Sequence, residues 1–265
     1  GKLERYHQVQ TKIEKNKSIE EQIIKANLRI DEIEREKTSH TSKISSNTTM
    51  IQNCERDIKT KQDIITQIAS EFEKEKIYKT YLEIGVRNPN DCFNIINCEI
   101  KHSVDPGYES PDSKVDYKFT SDDFFALLES KELNLSPTYK WDVIFIDGLH
   151  ISTQVEKDIK NSLNHLSENG VIILHDCNPV NIWLAREDFI IDGIPHGWNG
   201  TVWKSIYKLR ATRPDLFVCT VDTDFGIGII KFGKQECCEF DNPFYEYRHF
   251  ETNRKEYLNL ISIEE

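Results

Sequence analysis

The sequence predicts an α/β fold: a doubly wound, mostly parallel sheet preceded by a long α-helical coiled coil. Three observations lead there. The chain of 265 residues divides sharply in composition. Residues 1–75 hold 14 basic and 14 acidic residues, with Tyr6 and Phe72 as the only aromatics. Residues 76–265 hold 20 basic and 31 acidic residues and 25 of the 27 aromatics. Isoleucine recurs at heptad spacing through the first region, whereas strand-type apolar runs alternate with helical stripes through the second. The expected organisation is therefore an oligomerisation helix over 1–75 and a globular domain over 76–265.

Composition also excludes several roles. A net charge of −11 argues against nucleic-acid binding. No apolar run approaches membrane-spanning length and no signal-peptide pattern opens the sequence, so neither a membrane span nor Sec export is expected. Seven cysteines without a CxxC pair suggest reduced, mostly buried thiols and a cytoplasmic location. The opening Gly1 and a single methionine, Met50, suggest a piece cut from a longer protein.

The helical region has no proline before Pro89 and no glycine between Gly1 and Gly85. Placing heptad position a at Ile23 gives Ile30, Lys37, Ile44, Ile51, Ile58, Ile65 and Phe72 at later a positions. Position d falls on Ala26, Ile33, His40, Asn47, Cys54, Lys61 and Ile68. This register predicts a left-handed coiled coil, dimeric or trimeric. Lys37, His40 and Asn47 interrupt the seam within the Ser/Thr-rich stretch 38–49, where a hairpin is the alternative. Because the register does not slip there, a continuous helix is favoured.

In the second region, strands are expected over Thr80–Gly85, His102–Asp105, Trp141–Asp147, Val171–Asp176, Leu216–Val221 and Gly226–Phe232. Helices are expected over Phe124–Ser130, with Ser121 as N-cap, over Ser152–Ser167, ended by Asn169-Gly170, and over Thr201–Arg210. In sheets of this kind ligands lie outside the carboxyl ends of the strands. Those ends are acidic: Glu83 with Gly85, Asp105, Asp147 followed by His150, and His175 with Asp176. A carboxylate after the second strand can accept both hydroxyls of a ribose at once.

The ordered series TYLEIGVRNPNDCF, SVDPG, TSDDFF, WDVIFIDGLH and GVIILHDCNP, over 81–179, resembles class I S-adenosylmethionine-dependent methyltransferases. It is most similar to the branch containing metal-assisted sugar O-methyltransferases and cephalosporin-hydroxylase-like proteins. With the later WNGTVWKSIYKLR and TVDTDFGIGII segments, the resemblance extends over about 80–240. It implies a Rossmann-like sheet and S-adenosylmethionine as cofactor. Glu83 and Gly85 would line the methionine end, Asp105 would hold the ribose, and Ser121 and Asp122, after a third strand, would lie beside the adenine. Asp147 is expected to serve both the cofactor and the catalytic site. The first loop, Gly85–Asp91, lacks the usual extra glycines, and Asn88 or Asn90 is expected to supply its positive φ. This cofactor has no phosphates, so the loop need not cradle any.

A sugar hydroxyl needs a general base, a divalent cation, or both, to attack a sulfonium methyl group. His150 is the candidate base, against the plainer reading of a solvent-facing histidine at a helix start. Asp147, His175 and Asp176 are the candidate ligands for a divalent metal, Mg²⁺ or Mn²⁺, with a metal-free site using the same residues as the alternative. The imidazole at 175 stands where the relatives commonly have an acid, and it favours Mn²⁺, Fe²⁺ or Zn²⁺ over Mg²⁺. Trp198, in the loop Asp192–Gly200 that also carries His196, either closes over a substrate or packs on the sheet with Trp203. The expected partners are a small-molecule or glycan acceptor and further copies of the chain. A coiled-coil scaffold with a degenerate enzyme fold, and a metal-dependent hydrolase or hydroxylase-like enzyme, are the alternatives.

Overall fold

The computed structural model describes residues 25, 27, 29, 30, 32–61, 63, 78–190 and 197–265. They fall into two compact units, Gly1–Asp57 and Ile58–Glu265. The boundary expected at residue 75 lies outside the described residues.

Helix α1 runs without a break over 32–61, straight through the Ser/Thr-rich stretch. Threonine hydroxyls in and beside this stretch are satisfied within the helix. Thr38, Thr41, Thr48 and Thr49 each donate to the carbonyl four residues earlier, at Glu34, Lys37, Ile44 and Ser45. No hairpin occurs at 45–49. Ile30, Ile33, Ile44, Ile51 and Ile58 are all exposed, between 40% and 66%. Ile23, Ala26, Ile65, Ile68 and Phe72 of the heptad pattern lie outside the described residues. Among the described residues no helix is long and apolar enough to cross a membrane.

The second unit is a seven-stranded sheet of β1 (Thr80–Ile84), β2 (Ile100–Val104), β3 (Trp141–Ile146), β4 (Leu166–Leu174), β5 (Leu216–Val221), β6 (Ile227–Phe232) and β7 (Leu260–Ile261). The spatial order is β2-β1-β3-β4-β6-β5-β7. Pairs within β2-β1-β3-β4 are parallel, and β6 runs antiparallel to both β4 and β5. The sheet is thus mixed but mostly parallel, as expected. The third strand implied by the resemblance is reduced to one parallel bridge, between Tyr117 and Val104.

Alternation along the strands separates two apolar faces. Leu82, Ile84, Ile144, Ile146, Ile172 and Leu174 face the helices α2 (Ser121–Glu129), α3 (Ser152–Asn164), α4 (Val202–Thr212) and α5 (Tyr247–Leu258). Tyr81, Phe145, Val171 and Ile173 face the other way, with Val86, Ile96 and Phe93 of a 3₁₀ turn, Phe93–Ile95. Burying each large apolar side chain contributes about 1.5–3 kcal/mol. Trp203 belongs to the first face, 4.2 Å from the ring of Phe250, so it is a core residue.

Three details differ from expectation. Thr120, not Ser121, caps α2, its hydroxyl accepting from the Asp123 N–H at 3.1 Å. Asn169-Gly170 does not end α3 but lies inside β4. The helix stops at Asn164 because Leu166 pairs with Trp141, whose N–H takes the His165 carbonyl at 2.8 Å. Only Cys177, Cys219 and Cys238 of the seven cysteines are buried, so most are not. Helix α5 and β7 were not foreseen.

Asp142 ties together the starting ends of β1, β3 and β4. Its Oδ2 accepts from the N–H groups of Lys79 and Thr80 at 2.7 and 3.0 Å, and its Oδ1 from the Ser167 hydroxyl at 2.8 Å. Asp142→Ala should therefore cost about 2 kcal/mol, the scale for hydrogen bonds to a charged group. Urea unfolding measures it, and a loss below about 0.5 kcal/mol, typical of an unconstrained surface site, would contradict this role.

Candidate active site

The strand order reverses between β1 and β3, because the chain leaves β1 toward β2 on one side and returns to β3 on the other. A crevice opens at such a point. Here it is a cleft of about 670 Å³ at the carboxyl ends of β1, β3 and β4. Gly85 makes it possible. Its φ is +87°, and a Cβ there would lie 2.3 Å from the Asp147 carbonyl oxygen.

All nine site residues singled out in the sequence line this cleft. At one end Glu83 is buried and accepts from the Tyr81 hydroxyl at 2.6 Å. Burial pushes its carboxyl up to about 7, a shift that the Tyr81 and Cys92 contacts partly offset and the Asp147 charge reinforces. Asp105 is fixed by two backbone donors, Arg87 N–H on Oδ2 at 2.9 Å and Gly107 N–H on Oδ1 at 2.6 Å. Each oxygen keeps a lone pair for a ligand hydroxyl. The positive φ in the first loop falls on Arg87, at +46°, and not on Asn88 or Asn90. Asn88 instead closes the loop, its side-chain oxygen accepting from Asn90 N–H and its amide donating to Asp91. Ser121 and Asp122 sit at a third part of the wall, at the start of α2.

Asp147, His150, His175 and Asp176 form one cluster. His150 Nε2 lies 3.2 Å from Asp147 Oδ1, and its Nδ1 lies 3.1 Å from Asp176 Oδ2 and 3.0 Å from the Trp198 carbonyl oxygen. His175 Nδ1 lies 3.0 Å from Asp147 Oδ1 and 3.2 Å from Asp176 Oδ2. Asp147, His175 and Asp176 each offer a ligand atom, all within 4.8 Å of one another. Three members of the site went unnoticed in the sequence. Asp224, in the turn between β5 and β6, lies 3.2 Å from His175 Nε2. Asn199 donates to Asp176 Oδ1 at 2.8 Å. Tyr81 orients Glu83. Asp224 and Asn199 stand in segments that already resembled the family, but nothing in their local pattern separates them from turn residues.

Trp198 lies over the site and not on the sheet. Its ring stacks on His150 at 5.1 Å, and its indole N–H donates to the Arg186 carbonyl at 2.9 Å. Residues 192–196 of its loop, His196 among them, lie outside the described residues.

Removal from water pushes Asp147 up, but the charge of His175 and the contacts of both imidazoles reverse this and hold it well below the usual carboxylate range. Burial pushes both histidines down, and the carboxylates overcome it. Asp147 and Asp176 raise His175 well above its ordinary value and raise His150 as well. Both rings therefore hold a proton more tightly than a free imidazole, His175 the more strongly.

A histidine whose folded pKa is raised contributes stability fully below about pH 6.5, and loses it as pH rises through the folded value. A depressed aspartate contributes above about pH 4 and loses it as pH falls through its lowered value. The cluster thus stabilises most between those limits. With chelator present, the urea midpoint should fall from pH 6 to pH 9, and His175→Gln should reduce that fall. A midpoint that rises over this range would overturn the upward shift of the histidines.

Residues 82–177 match the family model of a methyltransferase domain. No curated protein matches the sequence. Among solved structures, an O-methyltransferase from Bacillus cereus in complex with SAH is 14% identical, with 64% of this chain and 79% of that one covered at a TM-score of 0.42. A SAH-bound methyltransferase from Podospora anserina is 18% identical, with 64% and 78% covered and a TM-score of 0.42. DesVI of Streptomyces venezuelae is 8% identical, with 65% and 92% covered and a TM-score of 0.42. Likeness at that level carries no argument of its own. The family match runs from β1 to just past β4, over the strands whose ends build the cleft, so this part of the chain is similar to a methyltransferase domain.

Proposed function

We propose that the chain is an O-methyltransferase that transfers the methyl group of S-adenosylmethionine to a hydroxyl of a sugar or glycan, assisted by a divalent metal. The observation that carries this reading is the cleft itself. One wall bears a proton-handling cluster, Asp147, His150, His175 and Asp176, and the same cleft bears Glu83, Gly85, Asp105, Ser121 and Asp122, a set matched to an amino acid and a nucleoside. Glu83 would pair with the ammonium of the methionine part, Asp105 with the ribose hydroxyls, and Ser121 and Asp122 with the adenine. The sugar acceptor rests on the sequence resemblance. Trp198 and Phe189, rings 5.3 Å apart beside His150, offer an aromatic wall on which the C–H face of a sugar can pack.

In the reaction the acceptor oxygen attacks the methyl carbon in line with the sulfonium. The C–O bond forms as the C–S bond breaks, S-adenosylhomocysteine leaves, and the hydroxyl proton passes to His150. Much of the rate comes from holding the two reactants in that line. Both nitrogens of His150 face acceptors, so the ring accepts a proton only when Asp147 turns its charge to another partner. A divalent cation held by Asp147, His175 and Asp176 would take up that charge and polarise the acceptor oxygen. Two carboxylates and an imidazole suit Mn²⁺ better than Mg²⁺.

The exposed isoleucine row of α1 supports assembly with further copies. A single helix so polar on its other faces does not stay folded alone in water, and its own copy offers a matching seam.

Tritiated-methyl transfer to a panel of sugars, glycans and phenols, with and without EDTA, tests the activity. His150→Ala should lower turnover by about 10²–10⁴-fold with little change in S-adenosylmethionine affinity, because a base acts in the transition state. Full activity in EDTA would remove the metal, and an unchanged His150→Ala rate would remove the base. For assembly, sedimentation equilibrium of the full chain should give the mass of a dimer or trimer, and Ile44→Asp with Ile51→Asp should give a monomer. A monomeric wild-type chain would overturn the coiled coil.

A further inference from the structure

Where α2 begins, the cleft wall is built from four polar residues on two helices. Ser121 and Asp122 open α2, and Gln154 and Asp158 lie one turn apart on α3. All four line the cleft, and Asp158 is 1% exposed. The Ser121 hydroxyl donates to Asp158 Oδ1 at 2.6 Å. The Gln154 amide donates toward three acceptors, Asp122 Oδ1 at 2.9 Å, Asp158 Oδ1 at 3.0 Å and Ser121 Oγ at 3.2 Å. Lys157 donates to the other oxygen of Asp122 at 2.7 Å. Burial pushes the Asp158 carboxyl up to about 6, still ionised at neutral pH.

A count of donors gives the polarity of this wall. The one hydroxyl hydrogen of Ser121 and the two amide hydrogens of Gln154 are spent inside the network. What the side chains present to the cleft is oxygen lone pairs. Beside them, the N–H groups of Ser121 and Asp122 have no carbonyl within the helix to receive them, whereas the Asp123 N–H is taken by the Thr120 hydroxyl. An edge that reads acceptor next to donor fits a ring bearing an exocyclic amine next to a bare ring nitrogen. It mismatches the 6-oxo purine edge, which places an acceptor oxygen next to a ring N–H.

We propose that Asp158, acting through Ser121 and Gln154, is the positioning residue that makes this end of the cleft select a 6-aminopurine over a 6-oxopurine. Asp158 takes hydrogens of Ser121 and Gln154 that would otherwise turn toward the ligand, and so leaves Ser121 an acceptor beside the Asp122 carboxylate. This rests on the reading that the cleft binds S-adenosylmethionine.

Calorimetric titration of the full-length protein with S-adenosylhomocysteine and S-inosylhomocysteine tests it. The wild type should bind the adenine compound at least about tenfold more tightly, the effect of setting one unpaired acceptor against another. Asp158→Asn supplies donor hydrogens in the same shape, and Gln154→Leu removes the amide that holds Ser121 Oγ and Asp122 Oδ1 in place. Each should reduce the ratio to about threefold or less, chiefly through weaker binding of the adenine compound. Gln154→Leu carries the test if the buried substitution fails to fold. Both ligands weakened in parallel, with the ratio unchanged, would mean a purely structural role and overturn the proposal. A wild type that binds neither compound would overturn the cofactor reading and this inference together.

Discussion

The arrangement of the cleft depends on how closely two backbones approach where β1 and β3 end. Gly85 N–H donates to the Val104 carbonyl and Asp147 N–H to the Ile84 carbonyl, both at 2.9 Å. The turn out of β1 is thereby pinned between its two neighbours. At a φ of +87° and with the Asp147 carbonyl in the space of a Cβ, only glycine serves at 85. The contact brings Glu83, Asp105 and Asp147, from three strands, to one opening. A second close approach repeats the device on the far side. Gly200, at a φ of +61°, meets the His150 carbonyl, and Thr201 N–H donates to that carbonyl at 2.8 Å. The start of α4 is thereby docked on the residue that carries the imidazole.

Within the opening, electrostatics are set by three carboxylates around two imidazoles. Asp147, Asp176 and Asp224 surround His175, and the first two also reach His150. Such a group is stable without added charge only while the rings are protonated, as their raised pKa values indicate. Burial, with the Asp147 charge added, lifts Glu83 to about 7, against the Tyr81 and Cys92 contacts and the Lys101 charge. Proton and cation occupancy of the cleft are thus linked, because any positive group that satisfies Asp147 relieves both histidines and Glu83. Asp176 is held in this cluster at a φ of +63°, a conformation costly for a non-glycine residue. Asn199, donating to its Oδ1, is one of the groups that keeps it there.

Much of this was legible in the sequence. The strands ending at Glu83, Asp105, Asp147 and Asp176 stand out because parallel strands buried on both faces read as continuous apolar runs. The acids that stop them are visible for the same reason. The continuity of α1 follows from an unbroken register. What escaped notice depends on distant pairing. The end of α3 is decided by Trp141, which draws Leu166 into the sheet, and local glycine chemistry at Gly170 pointed to the wrong place. Arg87 takes the positive φ because its N–H is claimed by Asp105, a contact that no local rule for Asn88 or Asn90 could show. Asp224 reaches the cluster from the turn between β5 and β6, and Asn199 from the loop before α4.

The missing third strand links the edge of the sheet to the cofactor side of the cleft. β2 is an edge strand, and an open row of backbone groups there would invite pairing with another chain. The short segment Asp116-Tyr117 covers it instead. Asp116 Oδ2 accepts from the N–H and hydroxyl of Ser103 at 2.9 and 2.7 Å, and Tyr117 N–H donates to the Ser103 carbonyl at 2.9 Å. The Tyr117 carbonyl then accepts from Asp105 N–H at 3.2 Å. A clamp of two residues therefore does the work of a strand on the backbone next to Asp105. The two N–H groups on the Asp105 carboxylate complete its restraint. A full strand would add more ladder, but the residue that has to be held is Asp105, just past the end of β2, and the clamp holds it there.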